Sequence, residues 1–430
     1  MDPPEKNILS VENNANEEEQ QSVVNEDDKL GEKWNSSWRT TYKVVATFYG
    51  FIVLGMFDSS LGALIPRIEK DYDLSYLIVS LAFLAQSGGA VCAAVCSDFT
   101  HRLIGRRGSG ALGIACQIVC FTIAVSGPPP FPVFAVGYAI GGLGNGLIDA
   151  SWNAYIGSFQ NANELAGILH AFYGAGGIIC PTVFTAMMEA GKNWHICYAV
   201  LLGMDVLAWI LFTTAFIKDG PTAYKNTVEA SRHEGGNANN SSFRVVVKSK
   251  LVWLLAFGLF LYVGSEVSLG GWISTFMIQI RDGDPEKMGY VTTGFWTGIT
   301  VGRVVLGFVT GYLKHEELMA TIYLSSAILF VLLFWLVPSF LLSAISAGVI
   351  GFFLGPLFPI VVVVAIRKLP RWLHVGGVGF AAALGGCGAA FMPFINGAIS
   401  NTYGPRILGP FVFSLLSAML IIWLIVLKFF

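Results

Sequence analysis

Apolar runs of about twenty residues, the length a helix needs to cross a hydrocarbon core of about 30 Å, recur along this chain between short polar breaks. That ruler predicts twelve spans, at about 43–64, 75–97, 109–127, 131–156, 164–190, 195–217, 250–278, 288–312, 318–337, 339–366, 374–399 and 405–428. The longest internal polar stretch lies between the sixth and seventh and carries Gly235-Gly236-Asn237 and Ser241-Ser242. The expectation is an all-α membrane protein with twelve transmembrane helices in two six-helix bundles. Residues 43–217 form the N-terminal bundle, 218–249 a linker and 250–430 the C-terminal bundle, with 1–42 as a disordered acidic tail.

Two phrases inside these runs match: Asp58-Ser59-Ser60-Leu61-Gly62 and Glu266-Val267-Ser268-Leu269-Gly270, each with a glycine eight residues before its acid, Gly50 and Gly258. A charged side chain at mid-helix costs at least about 2.5 kcal/mol in a membrane, so such groups persist where they face protein or a watery cavity. Equivalent acids in two halves point to a duplicated frame around a polar path, the architecture of secondary transporters. Small residues spaced four apart, such as Gly142/Gly146, Gly298/Gly302 and Gly351/Gly355, predict close helix packing. Pro356 and Pro359 predict a break in the tenth span.

Composition agrees with this reading. The 430 residues are 54% hydrophobic and 13% charged, against about 45–50% apolar and about 25% charged in soluble domains. Ten of the acids fall within residues 1–33, so the net charge of -2 is no sign of a nucleic-acid partner. No apolar stretch near residue 1 resembles a cleaved signal peptide. Loops on the side of the tail and linker carry 17 Lys/Arg and the other side 6, which places both termini in the cytosol. The seven cysteines lie in or beside apolar segments without metal-ligand spacing, so they are expected to be packing residues, with no metal and no cofactor. No GxxxxGK[ST] phrase suggests ATP-driven pumping, and no nucleophile elbow suggests an enzyme.

The candidate chemistry lies on intramembrane polar residues. Glu266 and Arg303 fall near mid-depth of spans seven and eight, as a charge pair that breaks and reforms with cargo or proton, or as a permanent bridge. Asp149 and His170 fall at similar depth in spans four and five, as a proton-carrying pair, or with His170 capping a buried contact to Asn145, Asn153 or Tyr173. Asp58 is a proton-coupling candidate by its repeat with Glu266. His170, Asn145, Asn153, Tyr173, Trp272 and Arg303 are candidate substrate contacts, although ordinary packing is the better reading of any one of the aromatics. Asp205 is expected to satisfy a structural hydrogen bond and Glu189 to reach the membrane surface. Asp98 with Arg102, Arg106 and Arg107, around Gly105, forms a candidate gating latch, or a plain positively charged loop.

These residues resemble the major facilitator superfamily, and within it the fucose permease-like branch that includes the fungal bypass-of-stop-codon transporters. The likeness spans 43–428. It rests on Ser97-Asp98 through Gly105-Arg106-Arg107, on Asp149-x-x-x-Asn153, on Tyr262-Val263-Gly264 and on Gly302-Arg303. The resemblance implies the major facilitator fold, spans one, four, seven and ten around a central cavity, rocker-switch access, and a role in proton coupling for Asp149. This chain departs from the branch at Gly62, Glu266, His170 and Cys96. The function expected is secondary active transport of a small organic solute, sugar-like or otherwise polar and coupled to protons, by a monomer in the plasma membrane or in a vacuolar or other internal membrane. Alternatives are export of a metabolite or drug by proton antiport and, in another class, a non-transporting membrane sensor.

Overall fold

Local chemistry sets the ends of the helices into which the apolar runs fold. The computed structural model describes residues 32–127, 130–160, 162–222, 248–369 and 374–430. In chain order the helices are α1 (Trp38–Tyr72), α2 (Tyr76–Val125), α3 (Phe131–Ile156), α4 (Ala162–Glu189), α5 (Trp194–Ala215), α6 (Lys250–Arg281), α7 (Gly289–Leu313), α8 (Glu316–Leu336), α9 (Phe340–Leu354), α10 (Leu357–Lys368), α11 (His374–Tyr403) and α12 (Leu408–Phe429). Ser37 and Ser249 cap α1 and α6 by accepting from the backbone N–H groups of Thr40 and Val252, so each bundle starts from a serine cap. Asp73 and Asp282 end those helices in the left-handed region, at φ 50° and 53°.

Twelve helices make twelve spans by a route that differs from one helix per span. α2 holds two spans, broken at Gly105 with φ +71°. Both spans pack on α3, the first running parallel to it through Gly89 and Gly142, the second antiparallel through Gly113 and Gly144. The chain therefore reverses between them, and Gly105 serves twice: its φ suits glycine, and a Cβ there would lie 2.3 Å from the Gly220 backbone. α9 and α10 together make one span, broken at Gly355-Pro356 as the prolines predict. Eleven of the spans are long and apolar enough to cross a membrane. α7 falls short because it carries Arg303 among threonines and glycines.

Duplication is visible in which glycines touch what. In the first bundle a Cβ on Gly89 would meet the Ala139 carbonyl, on Gly142 that of Gln86, and on Gly176 that of Ile52. In the second, Gly298 meets the carbonyl of Gly348, Gly351 that of Phe295, and Gly388 that of Phe260. Each contact recurs about 210 residues further on, as two inverted or parallel repeats would place it. Burial of apolar surface does not drive helix association in lipid, so backbone approach at small residues supplies the packing.

Ion pairs tie each bundle together on the side that carries the termini. Lys43 Nζ lies 2.7 Å from Asp219 Oδ1, joining the ends of the first and sixth spans. Arg367 donates twice to Glu316, at 2.5 and 2.6 Å, and Lys368 lies 2.8 Å from Glu317. Before α1, Glu32 bridges to Phe159 and accepts from Thr40 Oγ1 at 3.0 Å, so residues 32–37 dock on the first bundle. Most of the expected tail and of the linker lies outside the described residues.

Contacts between the bundles gather on the opposite side. Gly62 of the first twin phrase meets Gly270 of the second, where a Cβ would lie 2.2 Å from the Gly270 carbonyl oxygen. Around this crossing stand Tyr76 edge-on to Trp272 at 5.8 Å, Thr182 Oγ1 3.1 Å from Thr293 Oγ1, Tyr290 donating to Glu189 at 2.8 Å, and Arg67 3.6 Å from Glu286. On the terminal side, Asp149, Ile168, Phe172 and Phe257 are exposed. Among the described residues, the hydrogen bonds, ring contact and ion pair that join the bundles lie on the side away from the termini, the closed side of the interface.

A Cβ on Gly302 would lie 1.9 Å from the Phe352 carbonyl, whereas one on Gly307, in the same helix, meets nothing within 4 Å. Gly302→Ala is expected to destabilise the protein by about 1–3 kcal/mol through backbone displacement. Gly307→Ala should be neutral or stabilising by up to about 1 kcal/mol from helix propensity. Thermal unfolding of the purified variants in detergent checks this, and equal shifts would contradict the packing described.

Candidate functional site

Asp58 lies half-buried in α1, among donors from three other spans. Its Oδ1 accepts from Gln86 Nε2 at 2.6 Å and Asn145 Nδ2 at 3.1 Å, and its Oδ2 from the Tyr173 hydroxyl at 2.8 Å. Gln117 Nε2 donates to Asn145 Oδ1 at 3.2 Å, which orients that amide toward the acid. Three donors offset part of the cost of taking a carboxylate out of water. The site thus joins spans one, two, four and five at a single oxygen pair, with the third span behind it through Gln117.

A second charged site stands in the other bundle. Arg303 Nη2 of α7 lies 3.9 Å from Glu266 Oε1 of α6, at the outer limit of an ion pair. Arg303 is held from behind, its Nε donating to the Gly355 carbonyl at 3.2 Å. That carbonyl is free to accept because its helical partner four residues on is Pro359, which has no N–H. Tyr262, one turn before Glu266, has a buried hydroxyl beside both charges.

α4 and α7 bring the two sites together. They run antiparallel across the bundle interface, with Thr185 against Gly289, Thr182 against Thr293, Gly177 against Trp296 and Gly174 against Thr300. One turn further, His170 comes within electrostatic reach of Arg303. Tyr173, which holds Asp58, is also within reach of Glu266 and Arg303. Of the candidate groups Asp149 is exposed, His170, Tyr173 and Arg303 are half-buried, and Glu266 is buried.

The expected Asp149–His170 pair does not form. Asp149 Oδ1 accepts from Asn153 Nδ2 of its own helix at 2.8 Å, and the His170 ring packs edge-on against Phe51 at 5.8 Å. Depth along a helix does not fix rotation about its axis, and α4 turns His170 toward α7. Nor does His170 cap Asn145, Asn153 or Tyr173, which are engaged elsewhere. Trp272 is buried, donating to the Pro393 carbonyl at 3.0 Å, so it belongs to the closed side. Asp205 was expected to satisfy a hydrogen bond, yet its Oδ2 is buried without a partner.

At the proposed latch, Arg106 lies over the Tyr155 ring at 5.1 Å and Arg107 Nε donates to the Thr213 carbonyl at 3.1 Å, both within the first bundle. Arg102 is engaged as well, and the Asp98 side chain lies outside the described residues. The ties that do cross between bundles, Arg67–Glu286 and Tyr290–Glu189, are on the other side. Sequence reasoning passed over Gln86 and Gln117. Their signal was an uncharged amide within an apolar span.

Comparison with known proteins places this geometry. The sequence profile of the Major Facilitator Superfamily matches residues 47–340. The chain is 31% identical over 437 residues to bypass of stop codon protein 6 of Saccharomyces cerevisiae, covering 93% of this chain and 88% of that one. It is 20% identical to the glucose/mannose transporter GlcP of Bacillus subtilis, covering 81% and 85%. Among solved structures, the nucleoside transporter NupG superposes with a TM-score of 0.70 at 12% identity, covering 90% of this chain and all of that one, 100%. A D-xylose-proton symporter gives 0.68 at 13%, covering 89% and 97%. At such identities the structural likeness speaks for the fold. Family profile, long relative and fold agree: the chain belongs to the Major Facilitator Superfamily of membrane transporters.

Proposed function

We propose that this protein moves a small polar, sugar-like solute across a membrane by alternating access, coupled to protons through Asp58. The observation that carries the reading is the Asp58 carboxylate bound by Gln86, Asn145 and Tyr173. A proton placed on Asp58 Oδ2 turns an acceptor into a donor, so the Tyr173 hydroxyl that donates to it must either reverse and accept or turn away, while Gln86 and Asn145 keep Oδ1. Tyr173 is the donor that also lies within electrostatic range of the charges of the other bundle, Glu266 and Arg303. Protonation would then change how the two bundles are joined, which coupling requires.

Asp149 carries less of this reading, having no partner from another helix. His170, Tyr173, Glu266 and Arg303 are the proposed solute contacts, with Asn145 and Asn153 behind them. The names of the glucose/mannose and xylose transporters above support a sugar-like solute. The Lys/Arg asymmetry supports cytosolic termini, so the closed side of this structure would face away from the cytosol.

Two outcomes are expected in proteoliposomes. Asp58→Asn should abolish accumulation driven by an imposed pH gradient while sparing solute exchange, and Asp149→Asn should retain at least about half of the accumulation, since the coupling free energy resides elsewhere. Unchanged gradient-driven uptake in Asp58→Asn would remove Asp58 from the mechanism. Arg303→Leu should destabilise the protein by about 3–5 kcal/mol, because it strands both Glu266 and the Gly355 carbonyl. Arg303→Lys should recover only part, since lysine cannot serve both at once, as thermal unfolding would read.

A further inference from the structure

The α4–α7 seam follows one register. As α4 descends from residue 185 to 174, its partners on α7 ascend from 289 to 300: Thr185 with Gly289, Thr182 with Thr293, Gly177 with Trp296 and Gly174 with Thr300, and one turn on His170 is within electrostatic reach of Arg303. Small residues make the closed half. Gly174, Gly177 and Gly289 are each buried there against the opposite helix, which accounts for their lack of a side chain.

Continued one turn toward the terminal side, the same register sets Gly167 opposite Gly307. Both are exposed here, and a Cβ on either would meet nothing within 4 Å. Gly311, the next small residue of the α7 stripe, likewise faces open space. A glycine inside a helix costs about 1 kcal/mol relative to alanine. At Gly167 and Gly307 no contact in this structure offsets that cost.

We propose that Gly167 and Gly307 form the closing contact of the opposite state, in which α4 and α7 zip together on the terminal side in unchanged register while the Thr182–Thr293 end separates. Gly174 and Thr300 then mark the fulcrum, the last contact of the seam before the open glycines. The inference rests on the transport reading only in that a transporter must visit both states. It adds which residues meet in the state not seen here.

The test is cysteine trapping in the full-length protein in proteoliposomes, with copper-phenanthroline and oxygen as oxidant and disulfide-linked peptides identified by mass spectrometry. Three pairs are compared: Thr182→Cys with Thr293→Cys for the closed side, Gly167→Cys with Gly307→Cys for the proposed contact, and Gly167→Cys with Gly311→Cys as a register control. The first two pairs should cross-link, and the second should do so at least about tenfold faster than the control, as a discrete second population requires. In a four-cysteine variant, complete cross-linking at 182–293 should prevent the 167–307 bond. Absence of the 167–307 link, equal rates with the control, or both bonds in one molecule would each overturn the proposal.

A steric arm reads activity. Gly307→Trp should fold, since it has room here, yet lose solute transport by about tenfold or more by excluding the other state. Gly203→Trp, also in open space but away from the seam, should transport as the parent does. Transport by Gly307→Trp at the parent rate would overturn the proposal. If trapping follows the expected pattern while no solute moves in the parent protein, the transport reading fails and the seam stands.

Discussion

A membrane interior offers no water to an unpaired polar group, and that constraint shapes both the helix packing and the site. A carbonyl, carboxylate or guanidinium placed there is costly until it finds a partner within the protein, a cost left standing at Asp205 Oδ2. The Gly355 carbonyl, deprived of a helical donor by Pro359, takes one from Arg303. Asp58, without a cation, takes three neutral donors from three spans. These bonds do more than lower a cost. They set the side-chain directions that make a polar centre out of apolar helices.

The frame is duplicated and the chemistry is not. Gly142 on Gln86 and Gly351 on Phe295 are the same contact made twice, as are Gly176 on Ile52 and Gly388 on Phe260. Upon that shared frame one half carries an acid satisfied by amides and a phenol, and the other an acid facing an arginine. The Gln86 backbone occupies the place of the Phe295 backbone, but only the glutamine side chain reaches an acid. Symmetry supplies two halves that meet where Gly62 crosses Gly270. Asymmetry supplies different groups on the two walls.

Spans, break and duplication were legible in the sequence because each depends on residues close together along the chain. The twin phrases announced the duplication, and only the structure shows that they cross with their glycines in contact. What could not be read was which polar groups meet. The donors to Asp58 lie 28, 87 and 115 residues away, and nothing in local periodicity joins them. Asp149 and His170 were matched by depth alone, and rotation about the helix axis separated them. Arg303 and Glu266 come from successive spans, so depth was nearly enough to bring them near each other.

Pro359 has a consequence beyond breaking a helix. Any other residue there would bring an N–H to the Gly355 oxygen, and Arg303 would have a competitor built into the neighbouring backbone. The ring thus acts through the hydrogen it lacks: it leaves one acceptor unclaimed so that a guanidinium can be anchored at the membrane centre without surrendering its outward-facing nitrogens. An arginine anchored through its Nε can present its terminal amino groups to whatever enters, with its position set by backbone rather than by the acid it faces. Changing one imino acid, with every charge left in place, would therefore shift where the guanidinium stands relative to Glu266.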